Sequence, residues 1–151
     1  MIRRLTTVSA LILVCSVLDL RGAPVPQPKS DEELITGQWQ LNSAMINGKK
    51  ETDDIDIIMT FKRGTITVNL GASGEEHKGK YTLNASKNPK EIDLVFDDGP
   101  EPGQPIKGIY TLTEKELTLC TSNQAKKGRP VKFESKAGTD VGIVTLHRKK
   151  P

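Results

Sequence analysis

The stretch 37–48 reads GQWQLNSAMING, and its pattern of apolar and polar residues decides the fold. From Gln38 onward the pattern has a period of two, which places alternate side chains on opposite faces of a β-strand. The face with the only tryptophan of the chain is made by Trp39, Leu41, Ser43 and Met45. The dipeptide Asn47-Gly48 then favours a tight hairpin turn. The stretch therefore predicts a strand that leads into an antiparallel sheet.

The same pattern returns along the rest of the chain. A second run of alternating apolar residues covers 55–61, and Arg63-Gly64 joins it to a third run at 66–70. Five further strands are predicted at 81–83, 92–96, 106–112, 116–121 and 142–148. No segment between them shows the 3.6-residue period of an amphipathic helix. Short strands separated by turns in this way predict an all-β domain with an antiparallel meander.

A meander of about eight strands has to bury one face and protect its two edge strands. Closing the sheet on itself does both. We therefore favour a single antiparallel up-and-down β-barrel of about eight strands over an open sandwich. An eight-stranded barrel is either filled by its own side chains or holds one small ligand, and the sequence leaves both possibilities open.

Residues 1–23 have the order of regions found in a secretory signal peptide. Two arginines precede an apolar run of about 14 residues, and a polar break follows it. This run is shorter than the roughly 20 residues that cross a bilayer, so we expect no stable membrane span once the signal is removed. We predict cleavage after Gly22 or Ala23 and export to the periplasm, the cell envelope or the extracellular space.

The segments 24–30 and 31–150 differ in composition. The first reads PVPQPKS, and its alternate prolines predict an extended tether. Ser30 and Glu33 have the spacing of a capping box, which predicts one short helical turn that ends near Ile35. The barrel domain is expected to occupy residues 31–150.

The charge balance excludes one class of partner. The chain has 22 basic and 19 acidic residues, a formal net charge of +3. Removal of residues 1–23 takes away three arginines and one aspartate, which leaves 19 basic and 18 acidic residues. A chain so close to neutrality lacks the basic field that nucleic-acid binding needs. We expect a monomer that binds no nucleic acid.

Several short motifs resemble one family in their order and spacing. They are LITGQW at 34–39, GKYTL at 79–83, PKEIDL at 89–94, GIYTL at 108–112, LTLC at 117–120, GRPVKF at 128–133 and LHR at 146–148. In this order they resemble the lipocalin-like domain family of unknown function that is abundant in planctomycete bacteria, often in exported proteins. The resemblance covers essentially the whole predicted barrel domain.

The resemblance implies a lipocalin-like barrel and one structural anchor. In the lipocalin pattern, an arginine of the last strand packs across the tryptophan of the first strand at the closed end of the barrel, and the matching residues here are Arg148 and Trp39. The chain is shorter than true lipocalins, has no inter-strand disulfide and shows no helical pattern after the barrel, which argues against a roomy ligand cup. The family has no established activity that the resemblance could imply.

Residues capable of chemistry do not form a recognisable catalytic or metal-binding motif. His77, His147 and Cys120 lack the spacing of zinc ligands, and no G-x-S-x-G elbow is present. The acidic runs at 53–56 and 97–101 do not match a calcium loop and are interpreted as turns. Cys120 is expected to be a buried free thiol, with pairing between chains as the alternative. We predict no catalytic residues, no metal ligands and no cofactor.

The leading hypothesis for function is therefore an exported bacterial binding module that is not an enzyme. It would hold a small apolar ligand in the barrel or a protein partner on its rim, with Tyr81, Tyr110 and Phe133 as candidate pocket walls. The alternative is a structural or protein-interaction domain of the cell envelope, with a filled core and no ligand. An apolar cavity of roughly 300 Å³ or more would favour the ligand hypothesis.

Overall fold

The computed structural model describes residues 27–51, 56–71, 73–122 and 127–150. The predicted signal peptide at 1–23 and the first part of the tether lie outside the described residues. Within the described ranges, no helix combines the length and the apolar character needed to cross a bilayer.

One short helix and nine strands follow one another along the chain. They are α1 (Asp31–Ile35), β1 (Gly37–Ile46), β2 (Lys49–Glu51), β3 (Ile57–Lys62), β4 (Thr65–Leu70), β5 (Glu75–Asn84), β6 (Lys90–Phe96), β7 (Pro105–Leu112), β8 (Glu116–Ser122) and β9 (Val141–Arg148). The helix begins at the predicted capping box, in which Ser30 and Glu33 each bind the other's backbone N–H.

Eight of the strands form a closed antiparallel barrel. Neighbours in sequence pair from β3 to β9, and β1 completes the circle by pairing with both β3 and β9. The closing pair aligns Trp39 with Arg148 and Ile46 with Gly142. The predicted all-β barrel of about eight strands is confirmed, with β2 as an additional strand that pairs only with the end of β1.

Two predicted turns have the positive φ that their glycines favour. Asn47 and Gly48 have φ of 52° and 75°, and Arg63 and Gly64 have φ of 48° and 78°. Positive φ at both central residues is the geometry of a type I′ hairpin turn, which asparagine and glycine tolerate well.

The predicted face of β1 is wrong beyond Leu41. The pairing of β1 with β9 shifts between Leu41 and Ser43, which marks a β-bulge. A bulge adds one residue to a strand and so reverses the alternation that follows it. Ala44 is therefore buried in the core, whereas Met45 is 39% exposed.

The barrel has two ends of different construction, which we call the closed end and the open end. The closed end is where β1 begins, β9 finishes and α1 packs; its buried side chains belong to Ile35, Trp39, Phe61, Ile66, Tyr81, Ile92, Tyr110, Leu117 and Leu146. At the open end, β1 and β6 finish at Ile46 and Phe96 and β7 begins at Pro105. The core is most completely buried next to α1 and becomes more accessible toward the open end.

Residues 127–140 form an outer segment that lies against β6, β7 and β8 and the start of β9. Arg129 donates to the carbonyl oxygens of Ile92 and Gly108, and the hydroxyl of Ser135 donates to the Val141 carbonyl oxygen. Cys120, on the face of β8 opposite to the core, lies under this segment with Sγ 3.6 Å from the Lys132 carbonyl oxygen. The outer segment thereby covers apolar side chains on the outside of the barrel.

Candidate functional site

The sequence-predicted anchor residues lie together at the closed end. The guanidinium carbon of Arg148 is 4.2 Å from the centre of the Trp39 ring, within the range of a cation–π contact. Arg148 also donates to three carbonyl oxygens, those of Leu34, Thr36 and Glu114. It thus joins the last strand to the C-terminal end of α1 and to the turn between β7 and β8.

Trp39 binds the same helix end from inside the barrel. Its side chain is fully buried, and Nε1 donates to the carbonyl oxygen of Ile35 over 2.7 Å. Gly37, with a φ of +131°, lets the chain pass beside Arg148, because a Cβ there would lie 2.8 Å from Nη1. The carbonyl groups that a helix leaves unpaired at its C-terminus are therefore satisfied by side chains of β1 and β9.

Acidic residues of α1 bind the wall of the barrel that β5, β6 and β7 form, opposite to Trp39 and Arg148. Asp31 accepts from Lys90 Nζ at 2.8 Å and from the Tyr110 hydroxyl at 2.6 Å, and Glu32 accepts from the Tyr81 hydroxyl at 3.3 Å. Burial raises the pKa of Asp31, but hydrogen bonds from Lys90 and Tyr110 and the charge of Lys90 outweigh it, so the net shift is downward. Burial and the contact with Asp31 raise the pKa of Tyr110. The helix α1 is therefore bound by side chains of β1 and β9 on one side and of β5, β6 and β7 on the other, and it covers the closed end.

The three candidate pocket walls do not meet inside the barrel. Tyr81 and Tyr110 are buried at the closed end, where their hydroxyl groups bind α1. Phe133 belongs to the outer segment and is 37% exposed. Tyr110 and Phe133 border one groove of about 360 Å³, in which Lys90 also takes part.

The open end exposes apolar side chains that point into the barrel. Most inward-facing residues at the closed end are almost fully buried, whereas several of those near the open end are only partly buried. The partly buried inward residues of the open half are Ile57, Leu70, Phe96, Ile106 and Val144. Leu83 and Leu112 have similar exposure beside the turns of the closed end. Apolar surface that faces inward and remains accessible is characteristic of a ligand pocket.

A cavity of about 190 Å³ lies at the open end. Its lining is mainly apolar and consists of Val68, His77, Phe96, Asp98, Gly99 and Pro100. Val68 and His77 are directly paired across β4 and β5, and the last three residues belong to the connection between β6 and β7. The cavity is smaller than the roughly 300 Å³ that we set as favouring a ligand binder, so its volume alone does not favour that hypothesis.

One polar pair faces this cavity. Nδ1 of His77 is 3.0 Å from Oδ1 of Asp98. The two side chains are 36% and 49% exposed, so water reaches the pair. The interaction connects β5 to the loop after β6 and positions the imidazole ring at the edge of an otherwise apolar pocket.

His77 was not among the candidate pocket residues predicted from the sequence, although the structure places it at the cavity. The signal was present in the alternation of β5, since Tyr81, Gly79 and His77 occupy every second position and so share one face. Tyr81 was recognised as an inward residue, and the same period extended toward the start of the strand places His77 inside as well.

The other residues considered for chemistry are apart from one another. His147 lies on the outside of the closed end, 3.4 Å from Glu116, far from His77 at the open end. Cys120 is a buried free cysteine, as predicted, and burial raises the pKa of its thiol. Across the four described ranges, no three histidine, cysteine, aspartate or glutamate side chains are grouped so as to hold a metal ion.

Comparisons of this chain with protein-family models, with curated proteins and with solved structures give no match. Membership of the planctomycete lipocalin-like family stays a prediction from the motifs. The functional interpretation therefore depends on the geometry of the open end.

Proposed function

We propose that this protein is a noncatalytic binding module that holds a small, mainly apolar ligand at the open end of its barrel. One observation carries the proposal: a mainly apolar cavity lies at the open end, beside inward-facing side chains such as Phe96 that are only partly buried. Burying this accessible apolar surface against a ligand would gain roughly 25 cal/mol per Å².

The sequence supports an exported setting for this function. Residues 1–23 have the regions of a signal peptide, and the motif order resembles a lipocalin-like bacterial family. The proposal is therefore an exported bacterial carrier or sensor of a small molecule. The small volume of the cavity favours a ligand much smaller than those of a wide barrel.

The proposal is tested by titrating the protein with toluene, an apolar probe with no hydrogen-bonding group. Two-dimensional carbon–proton correlation NMR spectra show which methyl signals shift, and therefore where toluene binds. We expect saturable shifts of the methyl signals of Val68, Ile57 and Leu70, with the signals of Val131 unchanged. Val131 is a suitable internal reference because it is 79% exposed on the outer segment.

A matched pair of variants locates the site. Val68→Phe adds a ring at the cavity, and Val131→Phe makes the same change on the outer surface. We expect the first variant to abolish toluene binding and the second to keep it. Absence of saturable binding to the wild-type protein would instead support the alternative, a structural or protein-interaction domain with a filled core.

A further inference from the structure

The cavity at the open end carries one polar feature that an apolar ligand alone would not need. Of its six lining residues, only His77 and Asp98 have polar side chains, and they bind each other. The remaining lining is made by Val68, Phe96, Gly99 and Pro100. A ligand that fills this cavity therefore meets apolar atoms over most of its surface and one imidazole ring.

Asp98 determines which nitrogen of that ring can bind a ligand. An ionised carboxylate only accepts hydrogen bonds, so the 3.0 Å contact makes Nδ1 of His77 the donor. In the neutral ring the proton is then on Nδ1, and Nε2 becomes an acceptor. Within the described part of the chain, Nε2 has no hydrogen-bond partner.

We propose that the ligand is a short aliphatic alcohol, whose hydroxyl donates to Nε2 of His77 while its alkyl chain lies against Val68 and Phe96. A carboxylate of the same length has no proton to donate and meets the negative charge of Asp98, so it is disfavoured. A plain hydrocarbon lacks the hydrogen bond. This inference rests on the proposed function, because it specifies the ligand class of the same cavity.

The first test compares three probes, 1-hexanol, hexanoate and toluene, at pH 8. We expect 1-hexanol to bind at the cavity with a dissociation constant roughly threefold to tenfold below that of hexanoate, the effect of one hydrogen bond. The nitrogen-15 signal of Nε2 should also shift when 1-hexanol binds and stay constant with toluene. Equal binding of 1-hexanol and hexanoate would overturn the inference.

Two variants separate the roles of the polar pair. Asp98→Asn keeps an acceptor for the Nδ1 proton but removes the charge, so hexanoate should gain affinity while 1-hexanol changes less than twofold. His77→Leu removes the acceptor, so 1-hexanol should lose roughly threefold to tenfold in affinity while toluene binds as before. An unchanged affinity of the His77→Leu variant for 1-hexanol would contradict the assigned role of Nε2.

The outcomes distinguish this inference from the function on which it depends. If toluene binds at the cavity but 1-hexanol shows no preference, the binding function stands and the alcohol assignment fails. If no probe binds the wild-type protein, both fail. Saturable binding of all three probes with 1-hexanol tightest supports both.

Discussion

The two ends of the barrel are lined by the same alternation of inward apolar side chains, but among the residues that the structure describes only one end is covered by a helix. At the closed end, Trp39 and Arg148 bind the carbonyl oxygens of Ile35 and Leu34 in α1, and Asp31 binds Lys90 and Tyr110 on the facing wall. At the open end, Phe96 and its neighbours keep part of their apolar surface accessible. The alternation builds the barrel wall, whereas the polar contacts of α1 decide which end becomes a sealed core.

Under the proposed function, the closed end stabilises the fold and the open end binds the ligand. Buried hydrogen bonds and close packing at the closed end stabilise the fold, since an unmade bond there costs free energy. Accessible apolar surface at the open end contributes less to folding and remains available for a ligand. Substitutions at the closed end should therefore lower the free energy of unfolding, and substitutions at the open end should mainly change binding.

The largest expected effect is that of Trp39→Ala. This variant removes a fully buried indole together with its contacts to Arg148 and Ile35, and should lower the free energy of unfolding by about 3–5 kcal/mol. Urea denaturation followed by circular dichroism measures the change. Val131→Ala, on the exposed outer segment, serves as the control and should change the stability by less than about 0.5 kcal/mol. A wild-type midpoint for Trp39→Ala would refute the anchor role.

Alanine substitutions of one phenylalanine at each end test the difference between the closed and open ends directly. Phe61 is fully buried at the closed end, where its ring meets Tyr81 edge to face at 5.2 Å, and Phe96 is partly buried at the open end. Phe61→Ala should lower the free energy of unfolding by about 3–4 kcal/mol, and Phe96→Ala by less than about 2 kcal/mol, because less surface returns to water. Denaturant unfolding of both variants gives the ratio of the two losses in the free energy of unfolding. Equal losses would mean that the open end is as much a part of the core as the closed end.

Much of the barrel follows from local sequence patterns. Alternation with period two, the turns at Asn47-Gly48 and Arg63-Gly64, and the capping box at Ser30 are all local signals, and the structure contains each of them. Such features depend on residues a few positions apart, so a single sequence is enough to detect them.

Features that depend on distant residues were missed. The bulge after Leu41, which reverses the faces of Ala44 and Met45, depends on the pairing of β1 with β9. The use of α1 to close one end depends on contacts such as that of Asp31 with Tyr110, 79 residues away. Periodicity predicts which side chains share a face, but it does not show which end of the barrel another element will cover.

After Trp39→Ala and Phe61→Ala, the next largest effect should be that of Arg148→Lys. We expect it to lower the free energy of unfolding by about 2 kcal/mol. A lysine ammonium keeps the charge but does not reach the carbonyl oxygens of Leu34, Thr36 and Glu114 with the geometry of a guanidinium fork. Thermal unfolding measures the difference. Arg63→Lys is a matched control, since Arg63 is exposed at the same end of the barrel and should tolerate the change. Equal melting temperatures for both variants would show that the guanidinium contacts add little.

The smallest expected effect is that of Asp31→Asn, and it depends on pH. The variant keeps an acceptor for the Tyr110 hydroxyl but loses the charge opposite Lys90, so the free energy of unfolding at pH 7 should fall by about 1 kcal/mol. Because folding lowers the pKa of Asp31 from its ordinary value of 3.8, the ionised side chain contributes its full stabilisation above that value.

As the pH falls below about 4, the unfolded chain takes up the Asp31 proton before the folded chain does. The stabilisation then decreases and is lost as the pH drops through the lower, folded-state pKa. The gap in unfolding free energy between wild type and Asp31→Asn should therefore be constant from pH 7 to about 5 and narrow below about 4. Asp97→Asn, an exposed substitution at the open end, serves as the control and should change the free energy of unfolding at pH 7 by less than about 0.5 kcal/mol. A gap that stays constant down to pH 2 would mean that the charge of Asp31 does not hold α1 in place, and that the helix is held by its contacts with Trp39 and Arg148 and by apolar packing.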